Sequence, residues 1–507
     1  MVPAEREPTS TRGGVVALLV RGGRLSRAVA DARNHAEAQV GQAPSRRWFR
    51  GRPTLARCCP HGSRTRPRQF RLPHQTCVFL HHRWWRRRRA LLSRPMLELS
   101  PHSFRIKGQD TGLDEAPDAA EYAERIRSWL TALLGAEHLS ILVGSGLSIA
   151  IASATGARGL SMDPVTFAAP NAEDVDQHAR RTAEAAHRGE PNIEDQLRSA
   201  LQLVAGLEVL GSSEAVAWRS AIDDVLREFA VRGLQAEEDI RNAIESDAGA
   251  AGQRGAQLLV SFLLAFASRS ASRERTTIFT TNYDRLIEYG CDLGGLRVID
   301  RFVGSIEPVF RASRLEVDLH YNPPGIRGEP RYLEGVVRLS KLHGSLDWRF
   351  EKGRLVRMPL AIGGPDPILA IDALDRLMIY PNAAKDVGTL EFPYAELFRD
   401  FSSAICRPNG VLVTFGYGFG DSHINRIIRD MLTLRSTHLL VIAFGDPGNR
   451  TARFLGSVAP EQYSLLYGSH FGDLGSLVDN YLPQPGSEEA TLREAERARA
   501  LADGASA

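Results

Sequence analysis

Leu139-Ser-Ile-Leu-Val143 is an apolar run with strand character that ends on Gly144-Ser145-Gly146-Leu147-Ser148 and passes directly into a helical pattern, Ile149 to Ala154. Buried strand, glycine turn and helix in that order leave few folds open, because together they form the opening of a parallel α/β unit. Gly144 and Gly146 permit a tight turn with exposed backbone N–H groups, and the start of the following helix favours an anionic phosphate. The same kind of turn serves equally to pack a helix closely on a strand, so by itself it does not choose between the two uses.

Other segments agree with an α/β chain. Strand patterns recur at Thr277 to Thr281, Val336 to Leu342, Leu377 to Tyr380, Val411 to Phe415 and Leu439 to Phe444, each followed by polar or glycine-containing residues. Parallel strands deliver such loops to one crevice at their carboxyl ends. Ahead of the first strand, Ala119 to Leu134 reads as an amphipathic helix with Tyr122, Ile126, Trp129, Leu130 and Leu133 on one face. Between 171 and 275 the chain is rich in Ala, Leu, Glu and Arg at helical spacing, broken by turn signals at Gly189-Glu-Pro191 and Gly211-Ser-Ser213. This predicts a helical insertion, in which Asn192-Ile-Glu-Asp195 reads as a helix cap. The expected architecture is a Rossmann-like parallel sheet with a helical insertion, spanning residues 96–482 and followed by a charged tail over 483–507.

The formal charge of +3 averages two unlike regions. Residues 1–95 hold 21 Arg, no Lys and four acids (Glu5, Glu7, Asp31, Glu37), a balance of +17, while the remainder carries −14. Only these regional charges have physical meaning. The leader shows no sustained apolar period and offers no face to bury. It reads as a basic arm for nucleic acid, as an Arg-rich transit peptide, or as upstream DNA translated ahead of a start at Met96, the next methionine. Abundant Arg and scarce Lys fit a GC-rich genome and favour the last reading, so nucleic acid is a partner only if the leader is made. No apolar run approaches the roughly 18 residues of a membrane span. Val15 to Val20 is too short, and too closely followed by Arg21 and Arg24, for a secretion signal. Outside the leader only Cys291 and Cys406 remain. They form no CxxC pair and no disulfide framework, which points to a reducing, cytoplasmic compartment and to no structural zinc or other metal site.

Three more segments carry candidate chemistry. Thr280-Thr281-Asn282-Tyr283-Asp284 ends a strand and precedes the helix Arg285 to Tyr289. Asn282 can position a water or a carboxamide and Asp284 can accept from an amide or hydroxyl, although Asp284 can equally be a helix cap. Lys341-Leu342-His343-Gly344-Ser345 also ends a strand. A lone His is commonly structural, but this position at a strand's carboxyl end suits a base for a sugar hydroxyl. Val411-Leu-Val-Thr-Phe-Gly-Tyr-Gly-Phe-Gly420, followed by Asp421-Ser-His-Ile-Asn425, interleaves glycines with aromatics after a strand. The backbone there can approach a ribose or base on which Tyr417 or Phe419 stacks, or the turn can simply close a sheet edge.

In order and spacing, GSGLS, TTNYD, KLHGS and FGYGFGDSHI resemble the sirtuin-like family, in the bacterial branch whose members hydrolyse NAD in antiphage defence. The resemblance covers roughly Leu139 to Tyr467. The family has a glycine-rich turn like Gly144 to Ser148, a Thr-Gln-Asn-Ile-Asp segment like Thr280 to Asp284, and a His-Gly pair like His343-Gly344. Departures matter as much. The family's protein deacetylases carry four zinc-binding cysteines soon after the His-Gly pair, and this chain has only Cys406 beyond it. The Gly-Ile-Pro and Phe-Arg signatures of the cofactor loop are missing, and Thr281 replaces Gln. The resemblance therefore implies a zinc-free NAD glycohydrolase with Asn282 and His343 as catalytic residues. Gly144, Gly146 and Ser148 would hold the pyrophosphate, Asp284 the nicotinamide or its ribose, and the Gly416 to Asp421 loop, with Tyr417, the adenosine side; Ser145 and Thr281 would also bind the cofactor. It also implies an inactive resting state, released by homo-oligomerisation or by a partner such as a HerA-type ring ATPase. A zinc-free deacylase or ADP-ribosyltransferase, and a non-catalytic NAD or ADP-ribose sensor, are the competing readings.

Overall fold

The computed structural model describes residues 97–483 except 107, 186–188, 247–248, 314–316, 323–330, 366–376 and 380–391. The basic leader, Met96, Tyr380 and nearly all of the charged tail therefore lie outside the described residues.

Nine strands form the main sheet: β1 (His102–Ile106), β2 (Gln109–Leu113), β3 (His138–Val143), β4 (Thr277–Thr280), β5 (Arg297–Ile299), β6 (Val336–Lys341), β7 (Gly410–Phe415), β8 (His438–Ala443) and β9 (Tyr463–Tyr467). Their order is β2-β1-β9-β8-β7-β3-β4-β6-β5. The strands from β9 across to β5 are parallel, and β1 and β2 close one edge antiparallel. The expected α/β sheet is thus present. Its parallel strands read as continuous apolar runs because both faces are covered. Ile141, Val143, Ile278, Leu339, Val413 and Ile442 point into one core, and the alternating Leu142, Phe279, Leu412 and Val441 point into the other.

Helix α1 (Ala119–Leu134) starts on Asp118, whose side chain accepts from Ala120 N, and buries Ile126, Leu130 and Leu133. Helix α2 (Gly146–Thr155) follows β3, and the next strand does not begin until Thr277. The intervening stretch is helical as expected: α3 (Ala172–Ala185), α4 (Ile193–Val209), α5 (Glu214–Glu245) and α6 (Ala250–Ala267). Two of the three breaks between them fall at the two turn signals, and the third lies between Glu245 and Ala250. The insertion is shorter than its helical pattern, however, because Leu258 to Ala267 of α6 packs into the main core. Helices α3 to α5 build a separate core around Trp218, Phe229 and Leu197 that also takes in Tyr283 and Leu346.

Leu377–Ile379 is a strand, but not one of the parallel set. It pairs antiparallel with Gly344–Glu351 in a second, five-stranded sheet that also contains Arg354–Arg357, Val309–Phe310 and Phe302–Val303. Its short apolar run could not reveal which sheet it joins, since pairing direction leaves no mark in three residues. Among the described residues, no helix is long and apolar enough to cross a membrane.

The register positions the site. Val143 stands opposite both Phe415 and Thr280, and Thr280 opposite Lys341, so the loops after β3, β4, β6 and β7 leave the sheet at one level. The chain proceeds from β3 to β4 on one side and later returns to β7 on the other. The crevice between β3 and β7 is therefore the topological switch point where open α/β sheets bind ligands. There the two glycine turns meet backbone to backbone. Gly144 N donates to Phe415 O (3.0 Å) and Gly146 N to Gly416 O (3.1 Å). A Cβ on Gly146 would lie 2.5 Å from Gly416 Cα, and Gly416 itself has φ +60°. Gly416→Ala is accordingly expected to cost about 1–3 kcal/mol in urea unfolding, through overpacking and left-handed strain. Gly456→Ala, with open space around it, should stay within about 1 kcal/mol of the parent.

Candidate active site

Thr281, Asn282 and Asp284 follow β4, and their loop is tied down from three sides. Thr281 N donates to Val143 O (3.2 Å), and Asn282 N donates to Thr280 Oγ1 (3.0 Å). From β6, the buried Lys341 ammonium donates to the carbonyl of Asp284 and to Glu288 Oε1 (3.1 Å). Burial pushes the Glu288 carboxyl up, against the pull of Lys341.

A buried network joins this loop to the glycine turn. Asn282 Nδ2 donates to Gly144 O and to Ser148 Oγ, both at 3.0 Å, and Ser148 Oγ donates to Asp284 Oδ2 at 2.7 Å. A backbone carbonyl can only accept, so the Asn282 amide orientation is fixed by Gly144. Both its hydrogens are then committed, and Oδ1 is the atom left to act on a ligand, as an acceptor. Asp284 Oδ1 accepts from Leu286 N at 3.2 Å, at the start of helix α7 (Leu286–Gly294). Asp284 thus bonds the first amide of α7 from outside the N-cap position, which Arg285 occupies, and also holds Ser148.

His343 leaves β6 beside Gly344, whose φ is +95°. Its Nε2 lies 3.4 Å from Nε2 of His423, on the first turn of helix α9 (Ser422–Met431), and both rings are buried. Two neutral imidazoles can share only one proton across that gap. Helix α8 (Tyr394–Ile405) supplies Phe398, which meets His423 edge-on at 4.9 Å.

These segments line one cleft of about 200 Å³. Gly144, Ser145, Ser148, Thr281, Asn282, Asp284, His343, Gly416, Tyr417 and Asp421 all border it. Of the expected residues, Gly146 and Phe419 do not. Its amide is spent on Gly416, as that of Gly144 is on Phe415, so neither N–H matches the phosphate-donor role and both glycines serve close approach. Ser148 likewise directs its hydroxyl proton to Asp284. Phe419 is turned inward onto Phe454 of helix α10 (Arg450–Gly456), with ring centroids 4.6 Å apart, and offers no stacking face. Tyr417 borders the cleft with its ring buried and its hydroxyl on Asn425 Oδ1 (3.1 Å). Burial, with Asp421 nearby, holds that phenol well above its ordinary range.

Sequence reasoning missed part of the wall. The segment after α2 contributes Leu160 and Met162, and the insertion contributes Glu190, Asn192, Glu194 and Asp195. Asn192 and Asp195 do form the expected capping box, and the same turn faces the cleft. Tyr283 attaches it there, its hydroxyl donating to Glu194 Oε1 (3.2 Å) and its ring meeting Phe229 edge-on. Burial and then Glu194 hold the Tyr283 phenol well above its ordinary range. Arg450 is the cation of the lining, and its Nε is buried with no hydrogen-bond partner among the described residues. His423 was visible as the His of Asp421-Ser-His, but nothing in that triplet says that it reaches His343.

Ser148→Ala would strip a buried partner from both Asn282 and Asp284. Urea unfolding is expected to show a loss of about 1–3 kcal/mol. In a double-mutant cycle with Asp284→Ala, the two losses should be clearly non-additive; additivity would mean that the network does not act as a unit.

A search of curated proteins finds no significant match. Residues 276–459 match the family model of the SIR2-like domain, a span that holds Asn282, Asp284, His343 and the Gly416–Asp421 loop and leaves the Gly144 turn outside. Residues 276–459 are thus similar to the SIR2-like domain, of a family that uses NAD.

Proposed function

We propose that this chain hydrolyses NAD to nicotinamide and ADP-ribose. The observation that carries the reading is that Asn282, left with only its Oδ1 free to act, and His343 face one cleft at the switch point of the sheet. In the reaction the bond between the ribose anomeric carbon and the nicotinamide nitrogen breaks, and its electron pair neutralises the pyridinium. Water oxygen then bonds to that carbon and releases a proton. Because the transition state is an oxocarbenium-like sugar, the site chiefly has to orient one water and stabilise positive charge. Asn282 Oδ1 accepts a hydrogen bond from that water, and His343 accepts from or polarises a ribose hydroxyl.

The charge of the lining supports this assignment. Glu190, Glu194, Asp195, Asp284 and Asp421 border the cleft with Arg450, an environment favourable to a pyridinium and to a developing sugar cation. With the amides of Gly144 and Gly146 already bonded, Arg450 is the group suited to the pyrophosphate. An unrestrained NAD hydrolase would kill its host, so the proposal includes cytoplasmic action as an antiphage effector. It is held inactive until assembly, or a partner of the ring-ATPase kind, releases it.

Purified protein should be incubated with NAD, with and without the proteins encoded beside it, and nicotinamide followed. Asn282→Ala and His343→Ala are each expected to abolish release; full activity in both would remove the site assignment. Radiolabel from the adenylate should appear in free ADP-ribose, and label on protein would favour transfer over hydrolysis. Arg450→Gln should raise KM for NAD about tenfold or more, the loss of a charged hydrogen bond, with kcat little changed. It should leave cleavage of nicotinamide riboside, which has no phosphate, unaffected.

A further inference from the structure

We propose that His343, Asp421 and His423 form a binding site for a divalent transition-metal ion, zinc by ligand type, at the inner end of the cleft. The expectation of no metal site rests on the scarcity of cysteines, and these three ligands are two histidines and an aspartate. The fold nevertheless brings together one ligand atom from each of these three residues, all within 4.8 Å of one another. The two Nε2 atoms are 3.4 Å apart. Two nitrogens bound tetrahedrally to zinc at about 2.0–2.1 Å stand roughly 3.3–3.4 Å apart, so the rings are already at the required separation.

Three further features fit a metal ligand set. The imidazoles are 5% and 2% exposed, and Phe398 holds His423 from one side, so little ordering is left for the ion to impose. Asp421 occupies the N-cap position of α9 in extended conformation and borders the cleft. Two imidazoles and one carboxylate, with a fourth position open to the cleft, match the three-ligand pattern of open zinc sites. The set is too rich in nitrogen for calcium or magnesium. Binding requires both rings neutral, so affinity should fall as pH drops.

A consequence rests on the proposed NAD chemistry. An imidazole bound to metal through Nε2 cannot take a proton at that atom, so zinc would hold the hydrolase off and a chelator would release it.

The test uses the full chain and metal alone. Zinc is titrated in competition with a chromophoric chelator, and cobalt is followed by its visible absorption. One equivalent should bind, with tetrahedral cobalt bands. His423→Gln and Asp421→Asn, each checked for native folding by circular dichroism, should weaken binding at least tenfold. No stoichiometric uptake by the parent, or uptake unchanged in both variants, overturns the site and leaves a hydrogen-bonded histidine pair. Nicotinamide release indifferent to one equivalent of zinc overturns the regulatory consequence alone. Absence of NAD cleavage in zinc-loaded and chelated protein alike, with the proteins encoded beside it also present, counts against the proposed function, whatever the titration shows.

Discussion

The molecule is organised around a contact between two stretches of bare backbone. Where the turn after β3 meets the turn after β7, Gly144 and Gly146 approach Gly416 so closely that any side chain at these positions would collide with main-chain atoms. Amide-to-carbonyl bonds close the junction. With no side chains in the way, the carboxyl ends of β3 and β7 open directly onto the cleft, and Gly144 O becomes available to fix Asn282. The amides of Gly144 and Gly146 are thus spent on the junction itself, and in the proposed NAD complex Arg450 is the group left to meet the pyrophosphate.

A chain of short constraints builds outward from that junction. Gly144 O and Ser148 lock the amide of Asn282, and Ser148 holds Asp284, which starts α7. Lys341 supports the same loop from below, and Tyr283 reaches out of it to grip Glu194 of the insertion. The buried pair of Arg285 and Glu237 repeats that grip one residue beyond Asp284. The insertion is therefore coupled to the Asn282–Asp284 loop through Tyr283 and Arg285. A change in how α4 and α5 sit would reach the Asn282–Asp284 loop through these two contacts, the route that the proposed activation would use.

Much of this was legible in the sequence, and the remainder was hidden for definable reasons. Apolar runs buried on both faces announced the parallel strands, and the residue types just beyond them announced the loops that share the crevice. Local capping was readable too, since Asn192 and Asp195 are neighbours along the chain. Hidden were facts of three-dimensional pairing. Leu377–Ile379 joins an antiparallel sheet, Phe419 faces inward, and His423 meets His343 across 80 residues. The insertion's share of the cleft wall was hidden for the same reason, as was the commitment of the Gly146 amide to Gly416. Spacing within a motif reports none of these.

The central claim is that NAD occupies the cleft between the two glycine turns with its reactive ribose facing Asn282 and His343. The most direct measurement is an experimental structure of the Asn282→Ala protein with NAD. The account expects the nicotinamide ribose beside His343, the pyrophosphate against Arg450 and the adenosine along Gly416 to Asp421. NAD bound elsewhere, or in this cleft with its nicotinamide ribose remote from His343, would contradict it.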